Sequence, residues 1–361
     1  RDRRKWNSRH DSCRCGKTEE GDETIKKGLT GNAPQDAVYL QEQAVKYRKH
    51  ENADEILKIL SDMTFELLPK EQQEHLKNAM FIDGKRLDQV FNEANNLVKD
   101  KKLEGAVKLL RKIEKHADTY FPDSDACNQY SFRNPLDEYL YTHIYKPEKR
   151  YERTPFDFCT YLTSLGYLLV ELRRPQEAVD ALEKAIKYNP VNTAPRFELA
   201  EAFKSVHDYE KLFACVRDTL NICPTPEDIA RCYCNLGYYC IGIKDYESAV
   251  RFYYESLIYA PNDAVTGELH YIGSLMGKPV SAPTKNDILK AFEKYGIKVG
   301  PDTDLVNIAY SLGEYCVEHN SRPEEARFYY NIAYGLTREE KIKKKIDDLT
   351  EQIRAQQIVK N

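Results

Sequence analysis

The 361-residue sequence has no run of about 18 uncharged apolar residues, so no segment reads as a membrane-spanning helix. Neither charge sign dominates. The 54 Lys and Arg stand against 58 Asp and Glu, a net charge of −4, which leaves no overall basic footprint for nucleic acid. There is a single Trp beside 26 Tyr. Eight histidines are scattered, and none belongs to a His-Glu-x-x-His helix. No Gly-x-Ser-x-Gly elbow occurs. With 41% apolar and 31% charged residues and a mean hydropathy of −0.68, the chain is too apolar for disorder and too polar for a membrane protein.

Ten cysteines are spread along the chain without a disulfide framework. A chain of this length needs no such staples, and several cysteines lie in apolar helical stretches, where a free thiol packs as a small hydrophobe. The reading is a cytoplasmic protein with reduced thiols. Cys13-Arg-Cys15 with His10 cannot close a tetrahedral zinc set. Cys232 and Cys234 lie roughly 200° apart around a helix and cannot share an ion. Gly16-Lys17-Thr18 echoes the end of a phosphate loop, but Asp11 stands where its first Gly belongs and no strand precedes it. No catalytic residue, metal or cofactor is expected, and the chain reads as non-enzymatic.

What is there is periodicity. Pro190, Pro224 and Pro261 close three helix-like segments at intervals of 34 and 37 residues. In each, a small residue (Gly166, Ala200, Gly237) precedes Ala178, Leu212 or Ala249 by 12. Such residues let a second helix approach closely, and Pro ends that second helix by lacking an N–H. The extra residues before the third unit supply Thr225 as an N-cap and Pro226 as a first helical residue. One helix hairpin cannot bury its apolar face, so neighbours must stack.

This spacing resembles the tetratricopeptide repeat, an antiparallel helix pair of 34 residues. Units at about 159–192, 193–226 and 230–263 match well. Leu162, Arg196 and Tyr233 stand where the usual first-helix Trp falls. Residues 306–336 resemble another unit, with Gly313 preceding Ala326 by 13, and 87–118 a weaker one. The blend of repeats with Asn189-Pro-Val-Asn192 and an insertion at 119–155 is similar to repeat proteins of gut Firmicutes, which supplies no activity. The resemblance implies an all-α solenoid, a right-handed superhelix of helix pairs, with an N-terminal helical extension.

The expected organisation is a disordered basic tail (1–34), an N-terminal helical region with a degenerate repeat (35–118), a Pro- and Tyr-rich insertion (119–155), the solenoid (156–336) and a capping helix (337–361). Helices are expected at 36–49, 53–68 and 70–80, the last ending at Asp83-Gly84. The insertion shows one helical piece, Leu136–Tyr145. A degenerate pair spans 264–276 and 285–295. Thr337 and Glu340 have capping-box spacing for the last helix.

The resemblance places the first helix of each unit on a concave wall. That implies a partner-binding groove of Thr163, Tyr167 and Glu171; Phe197, Glu201 and Lys204; Arg231, Asn235 and Tyr238; and Tyr310 and Glu314. Aromatic rings with mixed charge suit an extended peptide or a docked helix. Some family members clamp acidic C-termini with Lys and Asn. Here Glu171 and Glu201 oppose a carboxylate, so no such clamp is expected. The function implied is a protein-binding scaffold with a protein or peptide partner, no small-molecule cofactor, no membrane and no nucleic acid. The alternative is a ligand-responsive regulator whose effector region is missing or lies in the N-terminal residues.

Overall fold

A computed structural model describes residues 25–360 apart from 49, 51 and 320–322. Among the described residues there are seventeen helices and two two-stranded sheets, and no closed sheet. The chain divides into two compact units, Arg1–Arg86 and Leu87–Asn361. The Cys13–Cys15, Gly16–Thr18 and arginine-rich features lie outside the described residues.

The first unit contains α1 (Ala33–Tyr47), α2 (Ala53–Glu66) and α3 (Lys70–Met80). Ile56, Leu60 and Met63 of α2 are buried with Leu40 and Ile25, and Leu57 and Ile59 pack at the margin. Ile25, inside the stretch read as a tail, is thus part of a packed core. Asp36 is buried but accepts from Thr30 N–H (2.6 Å), Thr30 Oγ1 (2.8 Å) and Gly31 N–H (2.9 Å), which hold its carboxyl below the ordinary range. Asp83-Gly84 is more than a break. Both residues have positive φ (50° and 76°) and close a hairpin of β1 (Phe81–Ile82) on β2 (Lys85–Arg86), with Phe81 opposite Arg86.

The second unit is an α-solenoid of helix pairs. In order they are α4 (Leu87–Lys99) with α5 (Leu103–Tyr120), α7 (Phe158–Glu171) with α8 (Pro175–Tyr188), α9 (Thr193–Ser205) with α10 (Tyr209–Leu220), and α11 (Pro226–Gly242) with α12 (Tyr246–Tyr259). They are followed by α13 (Asp263–Met276) and α14 (Lys285–Lys294), which each pack on α12 rather than on each other and so do not form the expected pair, then by α15 (Thr303–Glu318) with α16 (Pro323–Thr337), and a last helix α17 (Glu340–Lys360). The degenerate pair at 87–118 thus stands with the solenoid rather than with residues 35–86.

The small residues act as their positions suggest. A Cβ on Gly166 would lie 2.3 Å from Leu182 Cγ, and one on Gly237 or Gly313 would lie 2.6 Å from the ring of Tyr253 or Tyr330. The turn inside each of the first four pairs uses one device. Lys101, Arg173, His207 and Lys244 adopt left-handed φ between 56° and 66°. The next residue's N–H then reaches back to the carbonyl of Leu97, Leu169, Phe203 or Cys240 at 2.8–3.0 Å, closing the first helix in a Schellman turn. Asp208 and Asp245 cap the following helices by accepting from Lys211 and Ser248 N–H. Thr225 Oγ1 caps α11 by accepting from Asp228 N–H at 3.1 Å, with Pro226 opening the helix.

The insertion holds more structure than one helix. β3 (Cys127–Tyr130) and β4 (Arg150–Arg153) pair in parallel, joined by α6 (Pro135–Tyr145). Tyr130, Phe132, Tyr141 and Tyr151 form a ring cluster, with the Tyr130 and Tyr141 hydroxyls 2.7 Å apart. Asp137 is buried and accepts from Arg133 Nε (2.9 Å) and Asn189 Nδ2 (2.8 Å), which fixes α6 to the end of α8. Leu136 lies in one core cluster with Ala309, Leu312 and Tyr329 of the α15–α16 pair.

Near the C-terminus the capping box is Thr284–Asp287, at the start of α14. Thr337 remains in α16, where its hydroxyl donates to Ala333 O (2.8 Å). It accepts from Glu339 N–H, and α17 starts only after Arg338 turns at φ 58°.

Candidate functional site

Positions four and three or four apart share one helix face. On α9 these are Phe197, Glu201 and Lys204; on α11, Arg231, Asn235 and Tyr238. The structure brings the two rows together. The Arg231 guanidinium lies 4.5 Å from the Phe197 ring centroid and reaches Glu198 (3.5 Å) and Glu201 (3.9 Å). Lys204 Nζ pairs with Glu201 at 2.9 Å and sits 5.2 Å from the Tyr238 centroid.

Exposure separates these side chains. Tyr167 on α7 is 45% exposed and Arg231 43%, whereas Phe197 is 4% exposed and Asn235 2%. Phe197 and Asn235 are therefore buried, while Tyr167 and Arg231 face solvent. Thr163 spends its hydroxyl on Cys159 O at 2.7 Å within α7. Asn235 Nδ2 is buried and has no hydrogen-bond partner among the described residues. An orphaned buried amide costs about 1–3 kcal/mol, so its retention on this face is notable.

Glu198 was not among the expected groove residues. Its carboxyl is held above the ordinary range by burial, with Glu201 and Glu171 adding repulsion and Arg231 opposing it. The available signal was the pairing of acids at 198 and 201 one helical turn apart. Glu268 of α13 also acts here, since it and Glu201 add to the burial that raises the Tyr238 hydroxyl. Glu198 and Glu201 lie within ion-pair reach of Arg231, and Glu201 pairs with Lys204 as well.

Tyr310 and Glu314 stand elsewhere. Lys345 of α17 pairs with Glu314 at 2.7 Å, the Tyr330 hydroxyl donates to the same carboxylate, and Lys341 and Lys345 lie 5.9 and 5.7 Å from the Tyr310 ring. Burial pushes the Glu314 carboxyl up, but Lys345 and Tyr330 outweigh it and hold it below the ordinary range. The expectation of an open groove at these two residues is corrected. They form a seam with the last helix, because α17 packs its lysines across the face that the repeat pattern alone leaves bare.

Among the described residues no three His, Cys, Asp or Glu stand together as a metal set, and no helix is long and apolar enough to cross a membrane. Cys232 Sγ lies 3.7 Å from Cys223 Sγ while Cys234 donates to Ser256 Oγ, so the two thiols of α11 point apart.

Residues 160–192 and 230–263 match the family model of the tetratricopeptide repeat. No curated protein matches the chain. A crystal structure of an APC/C hetero-tetramer, Cut9-Hcn1, is similar at 10% identity and a TM-score of 0.34, covering 92% of this chain. The chain spans 59% of the length of that one. A likeness to repeat proteins of gut Firmicutes has no counterpart in these matches.

Proposed function

We propose that this chain is a non-enzymatic interaction scaffold that holds a protein partner, as an extended peptide or a docked helix, against the joined faces of α7, α9 and α11. One observation carries the reading. Rings and charges of two consecutive first helices meet, with Arg231 over Phe197 and Lys204 against Tyr238, and Tyr167 stands exposed on α7. Such amphipathic rings supply contact area at low entropy cost, and their hydroxyls supply hydrogen bonds. The two matched repeats support a scaffold, since stacked helix pairs present extended binding surfaces.

Affinity capture from a native lysate, comparing the chain with a Tyr167→Ala, Tyr238→Ala double variant, tests this. Partners should be lost from the variant while its circular dichroism matches the parent. Survival of every captured protein through the double change sinks the groove.

A further inference from the structure

We infer that the α9–α11 face selects a partner segment by an Arg or Lys side chain, seated over Phe197 between the carboxylates of Glu198 and Glu201, with Asn235 Nδ2 donating to a carbonyl of the same segment. The inference rests on the scaffold reading and names the chemistry of the partner.

Three observations converge. First, the site is acidic: Glu198 and Glu201 stand 3.5 and 3.9 Å from Arg231, and Glu171 and Glu268 add negative charge felt at Glu198 and Tyr238. A segment that adds positive charge is complementary, and one that adds negative charge is repelled. Second, the resident cation is weakly held. Arg231 is 43% exposed, and its ion pairs are 3.5 and 3.9 Å long, against 2.9 Å for Lys204 with Glu201. Third, Asn235 carries an unspent donor. It lies four residues after Arg231 and three before Tyr238, on the face that those two side chains turn toward α9. Its neighbours point elsewhere, Cys234 to Ser256 of α12 and Tyr233 to Gly300 N–H.

Arg231 therefore occupies the position that the partner cation takes. Its long side chain swings outward on binding, and the incoming guanidinium or ammonium inherits the Phe197 ring and the two carboxylates. The Asn235 amide, buried without a partner among the described residues, then ends its isolation on a main-chain or side-chain carbonyl of the bound segment.

The test is fluorescence anisotropy on the full chain with a labelled Arg-Gly-Ser repeat peptide and its Glu-Gly-Ser counterpart. The Arg peptide should bind and the Glu peptide should not. A Glu198→Gln, Glu201→Gln double variant should weaken the Arg peptide roughly tenfold, whereas Arg231→Ala should tighten it several-fold by removing the competitor. Asn235→Leu should raise the melting temperature and yet weaken binding, a pair of effects that a purely structural Asn does not give. Tighter binding of the Glu peptide, lost on Arg231→Ala, overturns the cationic occupant while leaving the groove standing. An Arg peptide that fails to bind, or binds all variants equally, also overturns it. Only survival of the lysate partners in the Tyr167, Tyr238 variant removes the groove as well.

Discussion

The helix pairs α7 to α12 and the insertion between α5 and α7 are both ordered, but by opposite means. In the pairs, one solution repeats: a small residue at the crossing, a left-handed turn residue, a capping Asp or Thr and a closing Pro. In the insertion nothing repeats. Its order comes from single long-range contacts, such as Asn189 on Asp137 and Leu136 among the residues of α15 and α16. Periodic structure is spread over many modest contacts, while the insertion concentrates its stability in a few buried groups.

Four measurements break or sharpen that contrast. The largest effect is expected at Asp137→Ala, which strips Arg133 and Asn189 of their shared acceptor. Urea unfolding should show a loss of about 2–3 kcal/mol, since the hydrogen bonds are lost but Arg133 can reach water and Asn189 keeps Ser131 O, and a loss below about 1 kcal/mol would mean that the insertion is held by something else. Next is Gly166→Ala, whose new methyl collides with the branch carbon of a buried Leu182. Here about 2 kcal/mol should be lost in the same assay, and no change would show that the pair is loosely crossed.

The third measurement concerns acid. Burial pushes the Asp245 carboxyl up, but Lys294 (2.7 Å), Ser248 and the Tyr295 hydroxyl (2.6 Å) outweigh it and lower its pKa from 3.8 to about 2. A depressed carboxylate stabilises fully above its unfolded value. That contribution fades as pH falls from about 4 to about 2 and is gone below the folded value. Thermal melts across that window should therefore be flatter for Asp245→Asn, by about 1 kcal/mol once solvent screening is counted. Identical slopes for parent and variant would refute the assignment.

The smallest effect is at the left-handed turn residues. Lys244→Gly in the pairs (φ 66°) and Lys146→Gly in the insertion (φ 44°) should each gain about 0.5 kcal/mol, since Gly adopts this conformation without a Cβ penalty. Unequal gains would show that turn chemistry, and not only long-range contact, divides the two regions.

The same contrast explains what was legible. Period and small-residue spacing locate the pairs from Phe158 to Tyr259 and the helices on either side within a few residues. The two parallel strands carry no apolar alternation to announce them: Cys127–Tyr130 is largely polar, and Arg150–Arg153 has three charged residues in four. The left-handed turn residues escape notice because none of the four in the early pairs is Gly. The proposed groove was readable as a shared helix face but not as a depth. Helical spacing puts Phe197, Asn235, Arg231 and Tyr238 on that face, yet only packing distinguishes the buried side chains from the exposed ones. Tyr310 and Glu314 were lost to that surface because α17 lies outside the repeat period.

The packing of α6 on α15, with Leu136 in one core cluster with Ala309 and Leu312, sets an order on synthesis. In an open array each pair is satisfied by the pair just made, and the chain folds as it leaves the ribosome. Here α6 emerges with an apolar residue whose partners, from Ala309 onward, follow well behind it in the chain. Until α15 to α17 arrive, that residue faces water or a chaperone, so a chain halted anywhere before Ala309 carries a sticky flank that the finished protein conceals.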